Sequence, residues 1–260
     1  MKEEQFTIQS IPSILYGDSS ENLFLYIHGK MGRKEEAAHF AEIVCPKGYQ
    51  VLSIDLPGHG QRAGEMERFV PWEAVPELRA VYGFAQRRWK KISLYANSIG
   101  AYFSLLAFRD AKLEKSLFVS PILDMEKLIC DMMGWAGVTQ EQLKKAGEIP
   151  TAFGETLSWK YLTYAEEHRI TKWDSPTAIL YAGQDHLTAR ETARDFARKF
   201  GCKVTVMENG EHWFHTEEQL AVLDAWLRRE TDKPVLAPDF EKGLLYEIWG
   251  AGNGENSCEE

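Results

Sequence analysis

The sequence predicts an α/β protein: a doubly wound, mainly parallel sheet with helices on both faces and a helical insertion over one end. Three observations predict it. Short β-like runs alternate with helical patterns along most of the 260 residues. The inner runs are apolar on both faces, as strands covered by helices on both sides must be. One long break in the alternation, 121–173, is rich in helix formers, Met and aromatics, which reads as a cap rather than a simple crossover.

Taken in order, "FTIQS" and "SILYG" predict an antiparallel hairpin at one sheet edge. "NLFLYIH" from Asn22 to His28 is an apolar strand, and "RKEEAAHFAEIV" after it is an amphipathic helix. "YQVLSID" predicts the next strand, and 71–86 a helix in spite of Pro76. "ISLYA" predicts a strand and 100–108 a buried helix, with only Asn97, Ser98 and Ile99 between them. "KSLFVS" is a further strand. Beyond the insertion, "TAILYAG" and "KVTVME" predict two strands flanking a helix over 188–200, and a last helix covers about 216–229. The expected organisation is a domain over 1–230 carrying the cap at about 121–173. A tail follows over 231–260, whose Gly- and acid-rich last ten residues read as disordered. Within that tail Phe240 and Trp249 are candidates to dock on the body.

Composition excludes several classes. A hydrophobic content of 44% with 27% charged residues is that of an ordinary globular protein. A formal net charge of -9 argues against nucleic acid, which requires clustered Lys and Arg. The cluster Arg87, Arg88, Lys90 and Lys91 is short and falls at a predicted helix end, where complementing the helix dipole or staying solvated fits better than binding phosphate. No apolar run approaches the ~20 residues of a membrane span, and "MKEEQFTIQS" contains no apolar core of a secretory signal. Cys45, Cys130, Cys202 and Cys258 are scattered, with no CxxC pair and no His at ligand spacing. Free thiols in a reducing, cytoplasmic setting fit better than a disulfide framework or structural zinc.

The abrupt strand-to-helix turn around Ser98 is the first chemical signal. Small neighbours, Ala96 and Gly100, let a strained turn close while a serine points away from the backbone, although a tight connection also needs small residues. A serine hydroxyl is a poor nucleophile until a base takes its proton. "NGEHWFH" supplies two candidates just after the last predicted strand, and His212 is favoured over His215, which already lies near the start of a helix. An imidazole acting as base needs a carboxylate to hold its tautomer. In "YAGQDHLT", Asp185 stands past the end of a strand, where sites collect in such sheets. Asp185 could instead serve as a loop or cap residue, though Thr188 is the better helix cap. The rival acid is Asp124 in "VSPILDM". Finally, "YIHGKMG" turns sharply after a strand and can aim backbone N–H groups at a developing oxyanion. The donors would be the amides of Lys30 and Ile99. No GxxxxGK[ST] is present, so this is not a phosphate loop.

With these elements in the order Ser, Asp, His, the chain resembles the α/β-hydrolase fold family (serine esterases, lipases and thioesterases). The resemblance runs from about Phe6 to Arg229 outside the insertion. It rests on HGKMG (28–32), DLPGHG (55–60), ANSIG (96–100), GQDHL (183–187) and GEHWF (210–214). Ala96 departs mildly from the usual first Gly of the elbow. The resemblance implies catalytic roles for Ser98, Asp185 and His212, and treats His59 as a turn residue. The expected function is a serine hydrolase of the carboxylesterase kind, acting on a small to medium ester or thioester without metal or organic cofactor. Trp135, Phe153, Trp159 and Tyr161 of the insertion are candidates to line the substrate pocket. The alternatives are C–C bond hydrolysis or acyl transfer with the same triad, and a non-catalytic ligand-binding protein of the same fold.

Overall fold

The computed structural model describes residues 1–232 and the backbone of Tyr246–Trp249. Strands β1 (Glu3–Ile8), β2 (Ile11–Tyr16), β3 (Asn22–Ile27), β4 (Tyr49–Ile54), β5 (Lys91–Asn97) and β6 (Ser116–Val119) come first in the chain. A short hairpin, β7 (Glu148–Pro150) and β8 (Thr156–Ser158), lies within the insertion, and β9 (Thr177–Ala182), β10 (Lys203–Met207) and β11 (Tyr246–Trp249) follow it. The helices are α1 (Ala37–Val44), α2 (Pro71–Gln86), α3 (Ser98–Ala107), α4 (Met125–Ala136), α5 (Gln140–Ala146), α6 (Trp159–Glu167), α7 (Arg190–Phe200) and α8 (Glu217–Asp232).

The main sheet runs β1-β2-β4-β3-β5-β6-β9-β10-β11. The expected hairpin forms its edge: β1 pairs antiparallel with β2, which pairs antiparallel with β4, and the other pairings are parallel. Side-chain alternation then sets the layers. Along β3, Leu23, Leu25 and Ile27 enter one core while Phe24 and Tyr26 enter the other. Along β9, Ile179 and Tyr181 join the first core, and Ala178, Leu180 and Ala182 the second. Helices α2, α3 and α7 cover the first face; α1 and α8 cover the second, where Trp226 is fully buried.

Topology dictates where a site can form. From β3 the chain crosses to β4 on one side, whereas from β5 it crosses to β6 on the other. The C-terminal ends of the adjacent strands β3 and β5 therefore open a crevice at the point where the winding reverses. Ile27 pairs with Ala96 across this seam, so the loop after β3 and the turn after β5 leave the sheet side by side.

Most expected boundaries agree to within a few residues. The helix expected over "RKEEAAHFAEIV" splits into a 3-10 turn, Lys34–Glu36, and α1. Thr188 does not cap α7: its N-cap is Ala189, and the Thr188 hydroxyl donates instead to the Pro121 carbonyl at 2.9 Å. Between β6 and β9 the insertion is built from well-terminated pieces. Asp124 caps α4, a Thr139–Gln142 capping box opens α5, and Ser158 caps α6. Its buried Leu128, Ile129, Met133, Leu143, Leu157 and Leu162 join the same core as α2 and α3, so the insertion packs on the body and not only on itself. In the C-terminal segment, β11 adds a parallel edge strand beside β10. The last ten residues and Phe240 lie outside the described residues.

Close packing of α3 against β3 rests on Gly100. A Cβ there would stand 2.4 Å from the His28 carbonyl oxygen, and the obstructing atoms are backbone. Gly100→Ala should therefore lower unfolding stability by about 2 kcal/mol or more in urea titration. Gly134→Ala in α4, where a Cβ meets nothing within 4 Å, should raise it by about 0.5–1 kcal/mol. Equal effects of the two substitutions would contradict this account of the helix–strand contact.

Candidate active site

Ser98 is the first residue of α3 and has φ +48°. This left-handed backbone is unfavourable for any residue with a Cβ, and here it turns the chain directly from β5 into α3. Ala96, fully buried near the end of β5, leaves space for the turn. Gly29 after β3 does the same, since a Cβ there would stand 3.1 Å from the Ser98 Cβ. Gly100, two residues on in α3, lets the helix approach the His28 carbonyl. The Ser98 carbonyl accepts the Ile122 N–H at 3.1 Å, tying the turn to the segment after β6.

The loops after β9 and β10 are laced together. The Gly183 N–H donates to the Met207 carbonyl at 2.8 Å and the Gln184 N–H to the Gly210 carbonyl at 2.8 Å. A Cβ at Gly183 would come within 2.4 Å of the Glu208 carbonyl oxygen, so a larger residue would separate the loops. Held this way, His212 meets Asp185: His212 Nδ1 lies 2.8 Å from Asp185 Oδ2, and His212 Nε2 lies 2.8 Å from Ser98 Oγ. The Asp185 carboxylate is fully buried. Its Oδ1 accepts the N–H groups of Leu187 at 2.8 Å and Thr188 at 3.2 Å. With Nδ1–H donated to Asp185, Nε2 keeps its lone pair for the serine hydroxyl.

The competing residues stand elsewhere. Asp124 Oδ1 accepts the Lys127 N–H at 2.9 Å as a helix cap. His215 Nδ1 faces the Trp213 carbonyl, and its ring stacks on exposed Trp213 at 5.2 Å between centroids. On the other side of Ser98, the Ile99 amide lies in the first turn of α3, where N–H groups have no partner within the helix, and Asn97 supplies no side-chain cap. The Lys30 amide lies in the 28–32 loop after β3, and the Lys30 ammonium pairs with Glu155 at the tip of the insertion hairpin.

Of the four insertion residues read as pocket lining, Trp135 and Phe153 are 52% and 44% exposed and pack edge-on against each other. Trp159 and Tyr161 are partly buried against the main core. Tyr161 meets the Trp72 ring edge-on at 5.9 Å, and its hydroxyl is buried without a partner. Tyr102, one helical turn after Ser98, also carries a buried, unpartnered hydroxyl. It lines a cavity of about 390 Å³ with Leu123, Met125, Ala165, Arg169 and Phe196. A more open groove of about 690 Å³ adjoins His212, with His186, Trp213 and His215 along it. Sequence reading passed over Tyr102, although its i+4 spacing from Ser98 was available as a signal.

Two further histidines support the crevice. His28 Nδ1–H donates to the Gly29 carbonyl at 2.7 Å and Nε2 accepts the Leu56 N–H at 3.1 Å. His59 Nδ1–H donates to the Pro57 carbonyl at 2.8 Å and Nε2 accepts the Met31 N–H at 2.9 Å. Burial pushes the His28 pKa down to about 4 and also lowers that of His59.

A doubly wound sheet with a serine elbow, an imidazole and a buried carboxylate at its strand ends has the architecture of an α/β hydrolase. Residues 18–168 match the family model described as serine aminopeptidase, S33 (Hydrolase_4), and the chain belongs to that α/β-hydrolase family. It is 24% identical over 190 residues to Protein ABHD14A of Rattus norvegicus, covering 72% of this chain and 63% of the relative. It is 28% identical over 102 residues to the thermostable monoacylglycerol lipase of Bacillus sp. (strain H-257), covering 39% of this chain and 41% of the relative. The chain thus spans less than two thirds of the length of either. The structure of Est1E from Butyrivibrio proteoclasticus with bound ferulic acid superposes with a TM-score of 0.71 at 19% identity, over 89% of this chain and 99% of Est1E. Among the described residues, no helix is long and apolar enough to cross a membrane.

The neutral, buried His28 has a consequence for acid stability. Between pH 6.5 and about 4 the unfolded chain takes up a proton at His28 that the folded chain does not, so stability falls as pH drops through this window. The loss from this residue is about 3 kcal/mol and is complete near pH 4. His28→Gln, which cannot be protonated, should lose correspondingly less stability between pH 7 and pH 4.5 in denaturant titrations. Parallel losses in the two proteins would contradict a neutral His28.

Proposed function

We propose that this protein is a serine hydrolase of the carboxylesterase kind, cleaving a small to medium carboxylic ester or thioester through an acyl-enzyme. The observation that carries this reading is the hydrogen-bonded series Ser98–His212–Asp185, with both links at 2.8 Å and the serine on a left-handed turn. His212 Nε2 takes the Ser98 proton as Oγ attacks the substrate carbonyl carbon. Asp185 holds the imidazole and stabilises its cation. The carbonyl oxygen, now negative, is met by the amides of Lys30 and Ile99, each worth about 2.7–4 kcal/mol in the transition state. Collapse of the tetrahedral intermediate expels the alkoxide or thiolate, which receives the proton from His212. Water, deprotonated by the same nitrogen, then releases the acid and regenerates Ser98.

The relatives' names agree with carboxylic acyl chemistry: one is a monoacylglycerol lipase, and Est1E binds ferulic acid. The insertion would act as the cap, with Tyr161 and Trp159 on its inner side. Trp135 and Phe153, exposed and packed on each other, would meet only longer substrates. Cys45, Cys130 and Cys202 are unpaired, which suits the cytoplasm.

Ser98→Ala should lower turnover of p-nitrophenyl esters and acyl-CoA thioesters by about 10³-fold or more, with little change in melting temperature. A variant keeping a tenth of the activity would remove Ser98 from the mechanism. Asp185→Asn should cut kcat by about 10⁴-fold, because the imidazole loses its orienting acceptor. Asp124→Asn should cost less than about tenfold, since that carboxylate caps a helix. The reverse order in steady-state kinetics would move the acid to the segment after β6.

A further inference from the structure

The loop that presents the Lys30 amide carries little of its own support. Met31, the residue after it, has φ +67° and a side chain that is 90% exposed, so no packing holds this strained backbone. Hydrogen bonds on both sides of Lys30 hold it instead. The Gly29 carbonyl accepts from His28 Nδ1–H at 2.7 Å and from the Gly32 N–H at 3.2 Å. That carbonyl and the Lys30 N–H belong to one planar trans peptide, so fixing the oxygen fixes the direction of the N–H. The next peptide is held at its N–H, which His59 Nε2 accepts at 2.9 Å. Among the described residues, the Lys30 amide donates to no backbone carbonyl and is left for another acceptor.

His59 suits this task. It is 4% exposed, its ring lies against Phe69 at 4.5 Å and His28 at 5.2 Å between centroids, and its Nδ1–H is committed to the Pro57 carbonyl. One tautomer is thereby selected, with the lone pair on Nε2 aimed at Met31. Burial, with the nearby Lys30 charge, lowers its pKa and keeps that lone pair available.

We propose that His59 is a positioning residue of the oxyanion hole, holding the Lys30–Met31 peptide so that the Lys30 amide stays aimed at the reacting carbonyl oxygen. This rests on the reading of Ser98 as the nucleophile. His59 touches no substrate, and its effect reaches the reaction through one backbone amide. Losing it should weaken binding of the transition state far more than binding of the ester.

The test compares wild type with His59→Gln, His59→Phe, His59→Asn and Ser98→Ala on p-nitrophenyl butyrate, with melting temperatures measured alongside. His59→Phe should lower kcat by about 10- to 100-fold with KM within about threefold, and affinity for an alkyl trifluoromethyl ketone should fall in parallel with kcat/KM. His59→Gln can place an amide oxygen near the former Nε2 and should recover most of the loss. Should the Phe variant not fold, His59→Asn makes the same deletion, since its shorter amide leaves nothing at the Nε2 position. A folded Phe or Asn variant with kcat within threefold of wild type overturns the proposal, as does an equal loss for Gln and for the deletion variants. If Ser98→Ala is inactive in the same series, that result strikes His59 alone. If Ser98→Ala keeps its activity, the nucleophile and the proposed role of His59 fall together.

Discussion

A serine with φ +48° at the junction of β5 and α3 is the constraint on which the rest of the site depends. Left-handed backbone costs an L-residue roughly 1–2 kcal/mol, and it persists only where the surroundings permit no other path. Here β5 is locked between β3 and β6, α3 lies against the β3 carbonyls through Gly100, and the Ser98 carbonyl is tied to Ile122. Removing any of these would let the turn relax toward an ordinary loop, and the hydroxyl would then leave the line to His212. The strain is sustained by the packing of the sheet, which connects the hydrophobic core to the placement of a single oxygen atom.

The same logic extends along the strand ends. Four loops converge there, and each is fixed less by its own propensity than by its neighbour. The loop after β9 is laced to the loop after β10, bringing Asp185 under His212. The loop after β3 is joined to the 55–60 segment through His28 and His59. Asp55, itself fully buried, accepts from the Lys34 N–H and the Lys34 ammonium and so anchors the base of that pair. In the proposed reaction this orientation would be built in before a substrate arrives, so that little reorganisation energy would be needed when charge develops.

Much of this was legible in the sequence because it is written in local patterns. Alternating apolar strands define a sheet covered on both faces, and the short Asn97–Ser98–Ile99 connection between two buried runs announces a sharp turn. Position in the short loop just after the last predicted strand favoured His212 over His215, which lies near the start of a helix. Other features depend on contacts between distant segments and leave no local trace. Asp124 and Asp185 both follow strands, and only the lacing of Gly183 to Met207 decides which of them reaches the imidazole. Thr188 has the chemistry of a helix cap, yet the nearby Pro121 carbonyl takes its hydroxyl. His59 read as a turn residue because the atom that uses it, the Met31 nitrogen, is 28 residues away. The insertion aromatics were recognisable as a class, but which of them face inward is a matter of tertiary packing.

Activation of Ser98 by His212 is the central claim, and covalent labelling reads it directly. The full chain would be treated with a fluorophosphonate and digested, and the modified peptide located by mass spectrometry, in wild type and in His212→Ala. The account predicts stoichiometric modification confined to Ser98 in the wild type, and a labelling rate at least about 10²-fold lower without the imidazole. Modification at another serine, or labelling of Ser98 at an undiminished rate in His212→Ala, would contradict it.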